Sequence, residues 1–141
     1  MKTINTRRSI RKYTDAPVSE KLLRRLLSEA ERTQTMGNLQ LYSVVVTRSE
    51  EQAENRNADP GYDNMLSFQN AATDALLFCQ TFCNLAEEEG LGCCFLGTTV
   101  YMPQMIIDVL QLPELVVPVA TITLGWPDEQ PALTDRLPLD A

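Results

Sequence analysis

LLFCQTFCNLAEEEGLGCCFLG, residues 76–97, reads as the second half of a long helix, a glycine stop and the start of a strand. Followed back to Met65, the same helix carries Phe68, Ala72, Ala75, Leu76, Cys79, Cys83 and Ala86 on one face. Leu77, Phe78 and Phe82 add apolar surface around that face, the pattern of a central buried helix over 65–89. Gly90 can take the left-handed conformation that closes a helix, and Cys93–Gly97 follows as a strand. Downstream, Pro103 suits the first position of a short helix with Met105, Ile106, Val109 and Leu110 as its apolar set. A last strand is predicted over Val116–Leu124, stopping at Gly125-Trp126-Pro127.

Upstream, Ser19 is a candidate N-cap for a one-sided helix. Leu22, Leu23, Leu26, Leu27 and Ala30 form its apolar face, and Lys21, Arg24, Arg25 and Glu29 the other. The valine-rich run Tyr42–Thr47 reads as a buried strand. Thr3–Tyr13 is predicted as a short helix and a basic loop. The polar stretch Arg48–Asn64, broken by Pro60-Gly61, is predicted as a loop or lid.

With 141 residues and 44% hydrophobic composition, residues 1–141 suit one domain. No run approaches the roughly 18 to 20 apolar residues of a membrane span, and no apolar leader opens the chain, so a soluble, cytoplasmic protein is expected. Cys79, Cys83, Cys93 and Cys94 fit neither a disulfide framework nor a paired zinc motif, and read as buried thiols. With no histidine, no metal site is expected, nor a Ser-His or Cys-His nucleophile.

The net charge of −7 is unevenly spread: residues 1–32 carry +5 and the remainder −12. An acidic protein with one basic cluster repels long nucleic acids and suits a compact anion. The cluster is Arg7-Arg8-Ser9-Ile10-Arg11-Lys12-Tyr13, whose guanidinium groups match phosphate oxygens in planar, bidentate fashion and whose serine can complete the shell. Its other reading is a solvated charged turn.

Five segments taken in order carry a resemblance: Arg7 to Tyr13; Gly37-Asn38-Leu39-Gln40 before Tyr42–Thr47; Gly90 to Gly97; Pro118-Val119-Ala120 through Pro127; and Arg136-Leu137-Pro138-Leu139. In content and order they resemble the nitroreductase family of FMN enzymes, from about Ile4 to Leu139. The resemblance implies an α+β, three-layer fold with a central, mostly antiparallel sheet flanked by helices, in an obligate homodimer. It implies an FMN-dependent, ping-pong oxidoreductase that takes hydride from NAD(P)H and reduces nitroaromatic, quinone or related electrophilic acceptors. No protein catalytic residue is needed, because the flavin carries the chemistry.

By resemblance, Arg7, Ser9 and Arg11 match positions that bind the FMN phosphate, ribityl chain and pyrimidine edge, with Arg8 beside them. Arg136 matches a later arginine on the phosphate. Asn38 and Gln40 match a polar loop that reaches the isoalloxazine from the other subunit. Phe95, Leu96 and Gly97 match the strand end over the flavin, with a backbone N–H near Gly97 at N5. Family members normally carry a further helix and an inner strand where this chain runs from Gln52 into Ala53, so a segment is expected to be missing there. A non-catalytic flavin-binding or sensor protein of the same fold is the alternative.

Overall fold

The computed structural model describes residues 6–35, 40, 42–47 and 64–133. Helix α1 spans Glu20–Ala30, and its start is set by Ser19, whose Oγ accepts the Leu22 N–H at 3.2 Å. Leu23, Leu26 and Ala30 are buried. The outer face carries Glu20–Arg24 and Arg25–Glu29 pairs one turn apart, at 2.7 and 3.8 Å.

Helix α2 spans Met65–Glu88. Asn64, read from sequence as loop, starts it: its Oδ1 accepts the Ser67 N–H at 2.9 Å. At the other end Gly90 has φ +84° and the Leu91 N–H reaches back to the Ala86 carbonyl at 3.0 Å, a Schellman closure that favours glycine. Burial along α2 is uneven. Asp74, Phe78, Phe82, Cys83 and Ala86 are buried, but Met65, Leu66, Phe68, Leu76 and Leu77 are exposed, so the central buried helix expected over 65–89 is realised mainly in its second half.

Strand β1 is Gly92–Leu96, followed by a 3-10 turn at Gly97–Val100. Helix α3, Pro103–Leu110, has Pro103 in its first turn as expected, but none of its residues is buried. Strand β2 is Thr121–Gly125 and pairs with β1. It begins five residues later than Val116 because Pro118 has no N–H to give a ladder.

One run agrees with the sequence reading and one departs from it. Thr6 is helical and residues 7–13 follow as the expected basic loop, tied by two bridges: Ser9 to Cys93 in parallel and Tyr13 to Pro127 in antiparallel fashion. Since one extended segment runs with β1 and against the continuation of β2, the two strands are antiparallel. Residues 42–47 form no strand, and Val44, Val45 and Val46 are 45–47% exposed. Valine favours a strand only where neighbours take its backbone hydrogen bonds and cover a face, and the described residues supply neither here.

The chain divides into two compact units, one of residues 1–31, 80–95 and 122–141, the other of 32–79 and 96–121. The first unit has a packed core of Ile10, Leu23, Leu26, Ala30, Phe82, Cys83, Ala86, Leu91, Cys93 and Cys94. Its close approaches require glycine: a Cβ on Gly92 would lie 2.6 Å from the Ile10 Cβ, and one on Gly125 2.6 Å from the Tyr13 ring. In the second unit, Tyr42 and Phe78 rings meet at 4.8 Å, and Asp74 and Thr99 are the buried polar residues among those described. Among the described residues, no helix is long and apolar enough to cross a membrane.

Candidate functional site

The extended basic segment forms one wall of a cavity of about 340 Å³ within the first unit. Thr6, Arg7, Arg8 and Ile10 come from that segment; Glu87, Gly90, Leu91 and Gly92 from the end of α2 and the start of β1; Pro127, Glu129 and Gln130 from beyond β2. Arg7 lies with its Nε 3.4 Å from Glu87 Oε1, their side chains 24% and 12% exposed. The two atoms attract as charges without forming an aligned hydrogen bond. Burial pushes the Glu87 carboxyl above the usual range, and Arg7 offsets part of that rise. Arg8 donates from Nη1 to the Thr6 carbonyl at 2.9 Å, while its buried Nε has no hydrogen-bond partner.

The segment is held in place by backbone bonds and two side chains. Ile10 N–H donates to the Cys93 carbonyl at 3.1 Å, Thr14 N–H to Trp126 at 2.8 Å, and Asp128 N–H to Lys12 at 2.9 Å. The Arg11 and Lys12 N–H groups both donate to Glu129 Oε1, at 2.6 and 3.1 Å. Tyr13 donates from its hydroxyl to the Ile10 carbonyl at 2.8 Å and lies 2.7 Å from Thr123 Oγ1; burial raises its pKa. Near Arg7 and Glu87, Cys83 and Cys93 are fully buried free thiols. A hydrogen bond between them holds Cys93 as a neutral thiol, its pKa pushed up, and pulls that of Cys83 down.

Of the residues singled out from sequence, Arg7 and Arg8 line the cavity. Ser9 pairs with Cys93, Arg11 is exposed beside Glu129, and Phe95 is half-buried in β1 of the same unit. Gln40, Leu96 and Gly97 belong to the other unit and are exposed; Gln40 has φ +51°, and Gly97 has open space where a Cβ would stand. Asn38, Arg136, residues 48–63 and the Gln52–Ala53 junction lie outside the described residues.

Glu87 and Glu129 were not singled out from sequence. One signal was available for Glu87. Glu87-Glu88-Glu89 closes a helix at the end where backbone carbonyls disfavour negative charge, so such a run calls for cationic partners. Glu87 meets Arg7, and Glu89 meets Arg25 at 2.8 Å.

The cavity and the α+β framework around it belong to a recognisable family. The chain belongs to the nitroreductase family described as "Putative TM nitroreductase", whose model matches residues 1–141. It is similar to the crystal structure of a "putative oxidoreductase" from Bacteroides fragilis NCTC 9343, with 47% identity and a TM-score of 0.91 over 99% of this chain and 70% of that one. It is 27% identical to an NADPH-dependent oxidoreductase of Staphylococcus aureus strain USA300, over 94% of this chain and 67% of that protein. The NADPH:FMN oxidoreductase of Vibrio harveyi, solved in complex with NAD+, shares the fold with a TM-score of 0.85 at 22% identity, over 99% of this chain and 73% of that one.

Proposed function

We propose that this protein is an FMN-dependent oxidoreductase that takes reducing equivalents from NAD(P)H and passes them to nitroaromatic, quinone or related electrophilic acceptors, working as a homodimer. The observation that carries the reading is the cavity in which Arg7 and Arg8 stand together, with the buried Arg8 Nε lacking a hydrogen-bond partner. A buried guanidinium donor left unpaired is costly, and an anionic oxygen would satisfy it. The donor set therefore fits a phosphate-bearing flavin. When bound, FMN accepts hydride from the nicotinamide and delivers it to the acceptor.

The chain's own residues supply binding and orientation. Arg7 and Arg8 attract the phosphate, and by resemblance Ser9 and Arg11 of the same segment add their side chains to the shell. By resemblance, Arg136, Asn38 and Gln40 complete the shell, the last two from the second subunit, and Phe95, Leu96 and Gly97 present the strand end to the ring. Anaerobic titration of FMN-loaded protein with NADH or NADPH is expected to bleach the flavin band, and a quinone or nitroaromatic to restore it. Failure of the protein to bind FMN would overturn the reading. Binding without turnover would leave a flavin-binding protein in place of an enzyme.

A further inference from the structure

Glu129 stands out among the cavity residues because its contacts run to backbone instead of to a cationic side chain. One carboxylate oxygen accepts both the Arg11 and the Lys12 N–H, at 2.6 and 3.1 Å. Around this point the basic segment is held by regular pairing, with Ile10 on Cys93 and with Thr14 and Lys12 on Trp126 and Asp128. Two successive backbone donors thus converge on one carboxylate oxygen supplied by the chain itself. We propose that Glu129 is the positioning residue of the basic segment. By gathering these two N–H groups, it fixes the backbone from which the exposed Arg11 side chain departs and so sets where that guanidinium meets a ligand. The consequence for binding rests on the flavin reading above.

Charge alone predicts the opposite effect. A carboxylate lining a cavity that takes a phosphate repels it, so its removal by either Glu129→Ala or Glu129→Gln would tighten FMN binding. Positioning predicts a split, because the glutamine amide oxygen still accepts both N–H groups while alanine accepts neither.

The test is FMN titration of the full chain, followed by flavin fluorescence and run well below the melting temperature of each variant. It is paired with amide hydrogen exchange at Arg11 and Lys12. The expected result is an FMN dissociation constant raised about tenfold or more in Glu129→Ala and held within about threefold of the parent in Glu129→Gln. Exchange at the two amides should quicken in Glu129→Ala and stay slow in Glu129→Gln. The proposal is overturned if both variants bind FMN more tightly, if both lose affinity alike, or if Glu129→Ala keeps the parent's affinity or its slow amide exchange. Should the parent itself bind no FMN, the flavin reading fails, and the exchange measurement alone decides whether Glu129 holds the segment.

Discussion

Glu87 is where charge and burial conflict most directly in the first unit. Its carboxyl is 12% exposed, and burial raises its pKa above the ordinary 4.5 despite the neighbouring Arg7. Below that ordinary value, the group is protonated in folded and unfolded chains alike and costs nothing. As the pH rises through the raised folded value, the unfolded chain ionises first, so the folded state loses stability relative to a chain with a neutral residue there. Glu87→Gln is therefore expected to match the parent in denaturant unfolding near pH 4 and to be the more stable of the two near pH 7. A gap that stays constant would show that the Arg7 contact balances desolvation, and one that moves the other way that it outweighs it. At this scale the cationic half of the cavity was legible, since Arg7 and Arg8 stand in a dense basic run. Its acidic half was not. Carboxylates are abundant in this acidic chain, and only the unfavourable position of Glu87 at a helix end distinguished it.

The elements divide by whether their signals are local. Ser19, Gly90 and Pro103 mark helix ends through their own backbone chemistry, and each does in the structure what the sequence implied. Strands need partners, so the valine run at 42–47 and the stretch from Val116 to Ala120 misled. The basic segment lies extended between β1 and the continuation of β2 because glycine lets it come close. Gly92→Ala would drive a Cβ to 2.6–2.7 Å from three atoms of the buried Ile10 side chain, none of them a flexible tip. The expected cost is about 1–3 kcal/mol of unfolding free energy. In a double-mutant cycle with Ile10→Gly, which removes all three clashing atoms including the Cβ that alanine would keep, much of that cost should disappear. Gly97→Ala is the contrast: no neighbouring atom lies within 4 Å of the new Cβ, and stability should hold within about 0.5 kcal/mol. Equal losses at the two glycines, or a Gly92→Ala cost undiminished without Ile10, would mean that backbone conformation, not close packing, fixes these positions.

At the scale of the whole molecule, exposed apolar side chains concentrate in the second unit. Val44 to Val46, Leu76, Leu77, Val100, Tyr101, Met105 and Val109 all lie there and are all exposed, whereas the first unit buries a continuous core. So much apolar surface left in water is the mark of an interface. Two covers are compatible with the resemblance: a second copy of the chain, and the inner segment expected near Gln52–Ala53. The aligned stretch with the staphylococcal oxidoreductase covers 168 residues although only 94% of these 141 take part, so that relative has residues within the aligned stretch without counterpart in this chain. An intact mass above 15.8 kDa would favour the segment, and a mass equal to it would exclude the segment. The second copy has its own test. Sedimentation at micromolar concentration is expected to give twice the chain mass. Val109→Asp should shift that equilibrium toward monomer, since a carboxylate buried in an apolar contact is costly. Val109 is 70% exposed in the single chain, so the substitution should barely disturb the protomer itself, and circular dichroism can verify this. A parent protein that sediments as a monomer would remove the second copy as the cover, and with it the source from which Asn38 and Gln40 would complete the flavin site.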